Sequence, residues 1–144
     1  MPEYKYESYL DSLSCEYPPS DTFSPNNLHA YRWIQEDINA ENNFLPVSII
    51  KPSRLDGCDS CQEKCKYFGL SMFDNEKKAE ERLKSFILRK PMLAEVFGNS
   101  IAEGVLNEED GVVDYPDGFG HFNLYESANS DIKSKFSFLK KCSI

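Results

Sequence analysis

Residues 74–91 read DNEKKAEERLKSFILRKP and carry the clearest periodic signal in the chain. Apolar residues recur there at helical spacing and form one apolar face, made of Ala79, Leu83, Phe86 and Ile87. Asp74 or Asn75 can cap the first turn by accepting a hydrogen bond from an unpaired backbone N–H. Pro91 helps to end the helix, because a proline disfavours helical backbone in the residue before it. These signals predict a helix over 75–89.

Short extended segments separated by turns lie on both sides of this helix. Alternation and apolar content predict later strands at 100–106, 112–113, 121–125 and around Phe136 and Phe138. Earlier, the run FLPVSII at 44–50 also predicts a strand, and Pro46 places that strand at an edge or a bulge. Residues 28–38 (LHAYRWIQEDI) fit either a helix or a strand. The sum predicts an α+β fold, with one or two helices packed on a mainly antiparallel sheet.

Residues 1–27 differ in composition from the rest of the chain. They hold Pro18, Pro19 and Pro25 among serine, aspartate and asparagine residues. Proline and small polar residues favour turns and loops. We therefore expect a loop-rich lead segment at 1–27, lying over a single α+β domain at 28–144.

Length and charge limit the function classes. The chain has 144 residues, enough for about one domain, and 24 acidic against 16 basic residues give a net charge of -8. Broad nucleic-acid binding is not expected, because neutralising phosphates needs clustered cations. A small local basic site remains open. The mean hydropathy of -0.54 is typical of a soluble protein, and no apolar run approaches the ~18 residues of a membrane helix.

The cysteine count and the N-terminal residues suggest a compartment. Five cysteines cannot all pair with one another. The opening MPEYKYESYL lacks the basic and apolar regions of a secretory signal. We therefore expect a cytoplasmic protein with reduced thiols and no membrane partner.

In one base-free stretch of the C-terminal half, acidic residues occur without basic ones. Nine of them, and no Lys or Arg, lie between Lys90 and Lys133, whereas residues 58–90 are slightly basic. Such a stretch favours solubility, or else it forms an acidic face for a basic protein partner.

A cysteine cluster, Cys58-x2-Cys61-x3-Cys65, offers three thiols at a spacing that suits zinc. The fourth ligand would be His121, His29, Cys15 or Cys142, and His121 is the tentative choice. The same spacing also puts all three cysteines on one face of a helix, where they can pack as small apolar residues. A redox thiol pair is a third reading.

Two further positions have side chains suited to binding or catalysis. Arg32 lies among aromatic residues in Tyr31-Arg32-Trp33 and can present a planar guanidinium to a phosphate or a carboxylate, or pair with Glu36 at the surface. His121 follows a glycine-rich turn at a strand start and can act as acid, base or ligand, or serve as a plain polar strand end.

Several strings together resemble a group of small uncharacterised bacterial proteins with the order RWI…GLSxF…AEGxL…DGVV…GHF, over about residues 31–125. In residue order the chain also resembles the ADP-ribosyltransferases, which bring together an early Arg, a mid-chain Ser or Tyr and a late Glu. That resemblance implies catalytic roles for Arg32, Ser71 and Glu126, with Glu126 stabilising a cation-like transition state. The chain lacks the family's Ser-Thr-Ser string and its paired Gln/Glu-x-Glu.

Three functions follow as hypotheses. The first is a non-catalytic interaction module, immunity-like or accessory, that binds a basic partner through its acidic surface. The second is a small ADP-ribosyltransferase-like or other nucleotide-acting enzyme that uses Arg32, Ser71, His121 and Glu126 on a small phosphorylated ligand. The third is a binding domain stabilised by zinc at Cys58, Cys61, Cys65 and His121.

Overall fold

Within residues 3–11 and 15–142, which the computed structural model describes, seven antiparallel strands form one sheet. The strands are β1 (Thr22–Phe23), β2 (Leu28–Ile34), β3 (Leu70–Phe73), β4 (Ser100–Leu106), β5 (Gly111–Asp114), β6 (His121–Glu126) and β7 (Phe136–Lys141). Their order across the sheet is β1-β5-β6-β3-β2-β4-β7. The predicted α+β fold with a mainly antiparallel sheet is confirmed.

Five α-helices accompany the sheet in the described residues: α1 (Ser8–Asp11), α2 (Val47–Ile50), α3 (Cys61–Lys66), α4 (Glu76–Arg89) and α5 (Leu93–Phe97). Helix α4 confirms the predicted helix, and the Asn75 side chain caps it by accepting a bond from the Lys78 N–H at 3.0 Å. Its buried residues Ala79, Leu83 and Ile87 belong to the predicted apolar face. No helix in this part of the chain is long and apolar enough to cross a membrane.

One face of the sheet holds the main hydrophobic core. Every strand reaches this core, including the edge strands β1 and β7 through Phe23 and Phe136. Leu70, Met72, Phe122 and Leu124 are at most 1 % exposed there, so β3 and β6 form the rigid centre of the fold.

The opposite face is covered by two separate layers. Helix α4 packs on Phe73 and Ile101, and the indole N–H of Trp33 donates to the Ala79 carbonyl of α4 at 2.9 Å. Farther along the same face, Tyr6, Leu10, Tyr17, Cys65 and Phe68 pack around Tyr125. Between these layers part of the sheet face remains uncovered, and the cavity described below lies there.

The earlier part of the chain differs from the sequence prediction at two points. Residues 28–34, which fitted either element, form strand β2. The predicted strand at 44–50 is wrong, because Val47–Ile50 form helix α2. Pro46 has no N–H for a strand ladder, and both the N–H and the hydroxyl of Ser48 donate instead to the Tyr67 carbonyl, at 3.2 and 2.7 Å. Strand β3, which contains Ser71, had no sequence prediction.

The lead segment contributes to the structure through several contacts. Its strand β1 pairs with β5, with Thr22 opposite Asp114. Tyr6, Leu10 and Tyr17 are buried, and the Tyr17 hydroxyl donates to the Phe68 carbonyl at 3.1 Å. Residues 12–14 of this segment lie outside the described part of the chain.

Candidate ligand-binding cavity

A cavity of about 400 Å³ lies against the uncovered part of the sheet. This volume falls within the range of roughly 300–1,000 Å³ that is usual for small-molecule sites. Two groups of residues define its main surfaces. The cavity floor is the set Ser71, Phe73, Asp114, His121 and Asn123, all on strands β3, β5 and β6. The cavity wall is the set of lining residues from 42 to 67, on the loop after β2, helix α2, the following 3₁₀ turn and α3.

Aromatic rings form one row across the floor. Phe73 lies directly opposite His121 in the register of β3 and β6. The Phe73 ring stacks on Trp33 of β2 at 5.1 Å between centroids and meets the His121 imidazole edge-to-face at 5.4 Å. Because strand side chains alternate between faces, residues two positions apart present a second row on the same face.

The second row is polar. Ser71 lies directly opposite Asn123 in the β3–β6 register, and Asn123 lies beside Asp114. The Asp114 carboxylate accepts from the Asn123 N–H at 2.6 Å, from the Asn123 side-chain amide at 3.0 Å and from the Tyr125 hydroxyl at 3.2 Å. These bonds fix the orientation of the Asn123 carboxamide, whose oxygen then serves as an acceptor at the floor.

Ser71 and His121 are the candidate reactive groups on this floor. Among the described residues, the Ser71 hydroxyl makes no hydrogen bond, so it is available to a bound molecule. Burial lowers the pKa of His121 below its usual 6.5, an effect that Asp117 and Asp114 partly offset. Its imidazole is therefore neutral at pH 7 and can accept a proton. Its Nδ1 lies 3.9 Å from an oxygen of Asp117.

Arg32 also lines the cavity, but its guanidinium is largely used by the protein itself. It donates to the carbonyls of Asn43 at 2.8 Å, Ser71 at 2.8 Å and Leu45 at 3.2 Å. Strands β2 and β3 share a single register pair, Tyr31 opposite Phe73, and beyond it the guanidinium bridges them. Burial lowers the pKa of Arg32 to about 10, so the group stays charged at neutral pH. Arg32 therefore fastens the wall to the sheet.

Glu126 does not line the cavity that Arg32, Ser71 and His121 line, although its carboxylate and the Arg32 guanidinium are near enough to shift each other's pKa. Its Oε1 accepts from Lys5 at 3.5 Å and Ser130 at 3.2 Å, whereas its buried Oε2 has no hydrogen-bond partner in the described residues. Burial raises the pKa of this carboxyl above its usual 4.5. Strand alternation turns Glu126 away from the face that carries His121 and Asn123, so the four residues named for catalysis do not all meet in this cavity, and their catalytic roles stay predictions.

The predicted zinc ligands are not brought together. Cys61 forms a disulfide with Cys15, Cys65 is buried with its thiol donating to the Glu16 carbonyl at 3.2 Å, and His121 lies on the floor. Across residues 3–11 and 15–142, no three His, Cys, Asp or Glu side chains are grouped to hold a metal ion. The disulfide also corrects the expectation of reduced thiols for Cys15 and Cys61, while Cys58, Cys65 and Cys142 remain thiols.

The prediction that Cys58, Cys61 and Cys65 lie on one face of a helix is correct only in part. Helix α3 begins at Cys61, with Ser60 as its cap, and includes Cys65 but not Cys58. Cys65 packs with Phe68 in the cluster around Tyr125, as an apolar residue would. Just before the helix, the Asp59 N–H donates to the Glu63 carboxylate at 2.9 Å.

Sequence reasoning missed Asn123 and Asp114. Asn123 lies within the predicted strand at 121–125, where alternation puts it on the same side as His121, and Asp114 directly follows the predicted extended segment at 112–113. That alternation was the available signal. The pairing of Ser71 with Asn123, by contrast, joins residues 52 positions apart and depends on the unpredicted strand β3.

No protein-family model, curated protein or solved structure matches this chain.

Proposed function

We propose that the protein binds a small organic molecule in the cavity, with a planar ring of the ligand against the aromatic row. The observation that carries this proposal is the pairing of two rows on one sheet face. The half-buried His121 imidazole offers a ring surface, which the buried Phe73 ring supports edge-to-face, and the neighbouring Ser71 and Asn123 offer polar groups to the edge of a ligand ring. Ligand sites commonly combine a largely apolar lining with a few fixed polar groups.

The polar groups are held before any ligand arrives. Asp114 orients Asn123 through two hydrogen bonds. Strands β3 and β6 are anchored in the core, β3 by Leu70 and Met72 and β6 by Leu124. A preformed site loses less conformational entropy on binding than one that must be ordered. This supports a binding role for the floor.

A fragment screen tests the proposal. Planar heterocycles are titrated into the ¹⁵N-labelled full chain, and we expect amide shifts confined to Ser71, His121, Asn123 and their neighbours. Ser71→Trp should abolish the response by filling the cavity, while Ser137→Trp, at an exposed serine of β7, should retain it. Fragments that bind Ser71→Trp as well as the parent protein, or the absence of any cavity binder, would contradict the proposal.

An enzymatic reaction on the bound molecule is the second candidate. Its specific support is that the Ser71 hydroxyl and the neutral His121 imidazole line one cavity, with Ser71 diagonal to His121 across β3 and β6. Of the four residues predicted for a nucleotide-acting enzyme, Ser71 and His121 are thus the proposed reactive groups, and Arg32 is a positioning residue. Incubation with NAD and with nucleotides tests it: His121→Gln should abolish any turnover, and turnover equal to the parent's would reject His121 as a catalytic group.

The interaction module with an acidic surface remains a prediction. Several acidic side chains of the base-free stretch between Lys90 and Lys133 already have contacts within the protein. Asp110 pairs with Lys135 at 2.7 Å, Asp114 binds Asn123, and Glu126 is buried. A smaller set of exposed carboxylates, among them Glu103, Glu108 and Asp131, is left for a basic partner. The cavity therefore supports small-molecule binding more directly than the surface supports protein binding.

A further inference from the structure

The charged groups that line the cavity are used unequally by the protein. The three carboxylates that line the cavity already accept hydrogen bonds from the protein. Asp114 accepts from Asn123 and Tyr125, Asp117 from the N–H groups of Phe119 and His121 at 2.8 and 3.0 Å, and Glu63 from the Asp59 N–H. Much of their capacity to hold a ligand is thus already taken.

The three cations lining the same cavity have no ion pair among the described residues. Lys66 on α3 makes no side-chain hydrogen bond there, and Arg54 on the preceding 3₁₀ turn lies over the Tyr67 ring at 5.8 Å. Both are exposed, so they stand at the mouth of the cavity. An anion at this position can form charge-assisted bonds with both without breaking an internal contact.

A third positive charge lies deeper. Arg32 is 8 % exposed, and its three bonds go to neutral carbonyls rather than to a carboxylate. A guanidinium has five N–H donors, so two remain after these bonds. Neutral hydrogen bonds leave the charge of Arg32 in place, as they leave the charges of the three lining carboxylates. The feature that favours an anion is therefore the pair of cations at the mouth, Arg54 and Lys66, whose donors are not used within the described residues.

We infer that the ligand is a planar heterocycle carrying a phosphate group, of the mononucleotide class. The ring lies against His121, its polar edge meets Ser71 and Asn123, and its phosphate binds Arg54 and Lys66 at the mouth. Arginine suits this role because its planar fork matches phosphate oxygens, and lysine adds a point charge. The inference rests on the proposed function, since it specifies the molecule that the same cavity takes.

Titration of the full chain with matched compounds tests the inference. The probes are the four common ribonucleoside 5′-monophosphates, their nucleosides, ribose 5-phosphate and inorganic phosphate, each followed by calorimetry and by amide shifts. At least one monophosphate should bind about tenfold more tightly than its nucleoside, since tenfold corresponds to ~1.4 kcal/mol, less than a single strong charge-assisted bond. Raising the salt concentration should narrow that difference.

Paired variants assign the phosphate contact. The double variant Arg54→Ala/Lys66→Ala should remove the preference for the monophosphate and leave nucleoside affinity unchanged. The matched control Arg89→Ala/Lys90→Ala removes an exposed Arg and Lys at the end of α4, outside the cavity lining, and should retain the preference.

Each contrary outcome has a distinct meaning. Equal affinity for monophosphate and nucleoside would overturn the phosphate contact, and equal affinity for monophosphate and ribose 5-phosphate would overturn the ring contact. Neutral fragments that bind the floor while no monophosphate binds would overturn this inference and leave the proposed function intact. If neither class binds the cavity, both fail.

Discussion

The floor and the wall of the cavity are built in different ways. The floor consists of adjacent strands, with Ser71 and Phe73 paired to Asn123 and His121 in continuous register, and the same strands supply buried core residues. The wall consists of loops and short helices that reach the rest of the protein through a few specific attachments. These are the Arg32 guanidinium, the Ser48 hydroxyl bonded to the Tyr67 carbonyl, and the disulfide from Cys61 to Cys15.

Because of this difference, one site combines a rigid floor with an adaptable wall. Elements with many buried contacts open only with the global free energy of unfolding, whereas weakly packed ones open locally at lower cost. The floor is therefore fixed in shape, and the wall can adjust to a ligand as long as its attachments hold. Breaking an attachment should loosen the wall and leave the floor ordered.

The largest effect should come from the disulfide. Cys15 and Cys61 are separated by 46 positions, and closing a loop of that length lowers the entropy of the unfolded chain by the equivalent of about 4 kcal/mol. The double variant Cys15→Ser/Cys61→Ser should lose about that much free energy of unfolding in urea. Hydrogen exchange should show a larger loss of protection at Tyr67 in the wall than at Leu124 beside the floor.

Cys58→Ser is the matched control for the disulfide. Cys58 is a free, partly exposed thiol in the same segment, and its substitution should change stability by less than about 0.5 kcal/mol. If Cys15→Ser/Cys61→Ser were as stable as Cys58→Ser, the disulfide would not be an attachment of the wall. Equal loss of protection at Tyr67 and Leu124 would refute the distinction between wall and floor.

Removal of the Arg32 guanidinium should have the next largest effect. Arg32→Met keeps the buried stem but leaves the carbonyls of Asn43, Leu45 and Ser71 without their charged donor. We expect a loss of about 3 kcal/mol, because charge-assisted bonds contribute more than neutral ones and the three are not additive. Denaturant unfolding measures it. Arg32→Lys should recover only part of the loss, since one ammonium cannot reproduce a planar fork.

Arg89→Met provides the comparison for Arg32. Arg89 is exposed and contacts the Phe86 ring, so its loss should cost less than about 0.5 kcal/mol. Equal stability of Arg32→Met and Arg89→Met would show that the wall is held by other contacts.

The sequence predicted the elements whose signals are local. Helix α4 is specified by its cap at Asn75 and by Ala79, Leu83 and Ile87 at helical spacing. Strands β4 and β6 were found because their apolar residues recur between clear turns. The α+β class follows from these elements. Arg32 and His121 were named from residue type and neighbours, whereas Ser71 was named only from the residue order of the ADP-ribosyltransferase resemblance.

What the sequence could not predict depends on distant contacts. Cys61 pairs with Cys15, and connectivity among five cysteines cannot be deduced from spacing. Residues 44–50 have the composition of a strand, yet Pro46 has no N–H for a strand ladder, and the Ser48 bonds to Tyr67 favour a helical turn. Glu126 was grouped with Arg32 by chain order alone, and strand alternation separates it from the cavity.

A smaller effect is expected within the floor itself. Tyr125→Phe removes the hydroxyl that donates to Asp114 and keeps the ring, which packs edge-to-face on Tyr17 at 5.5 Å. One neutral-to-charged hydrogen bond among several on the same carboxylate should be worth about 1 kcal/mol. Thermal and urea unfolding measure the loss, and Tyr9→Phe, at an exposed tyrosine, is the control. Identical stability of the two variants would remove Tyr125 from the network that orients Asn123.

The smallest effect links the two regions through the charge of His121. Burial lowers the pKa of its imidazole, so between that pKa and 6.5 the unfolded chain binds more protons than the native one. Its contribution to stability is therefore complete above pH 6.5 and is lost as pH falls through the lower, native pKa. The raised pKa of Glu126 acts in the opposite sense, since stability falls as pH rises above 4.5 toward that native pKa. Comparison with His121→Gln, rather than the raw pH curve, isolates the imidazole.

Proton NMR titration of the imidazole sharpens the comparison of wall and floor. In the parent protein the His121 signal, assigned by its absence from His121→Gln, should titrate below 6.5. In Cys15→Ser/Cys61→Ser, a loosened wall admits water to the floor, and the pKa should move back toward 6.5 because desolvation is its main cause. An unchanged pKa in that variant would mean that the floor and α4 alone exclude water from His121. The wall would then have no part in setting the electrostatics of the site.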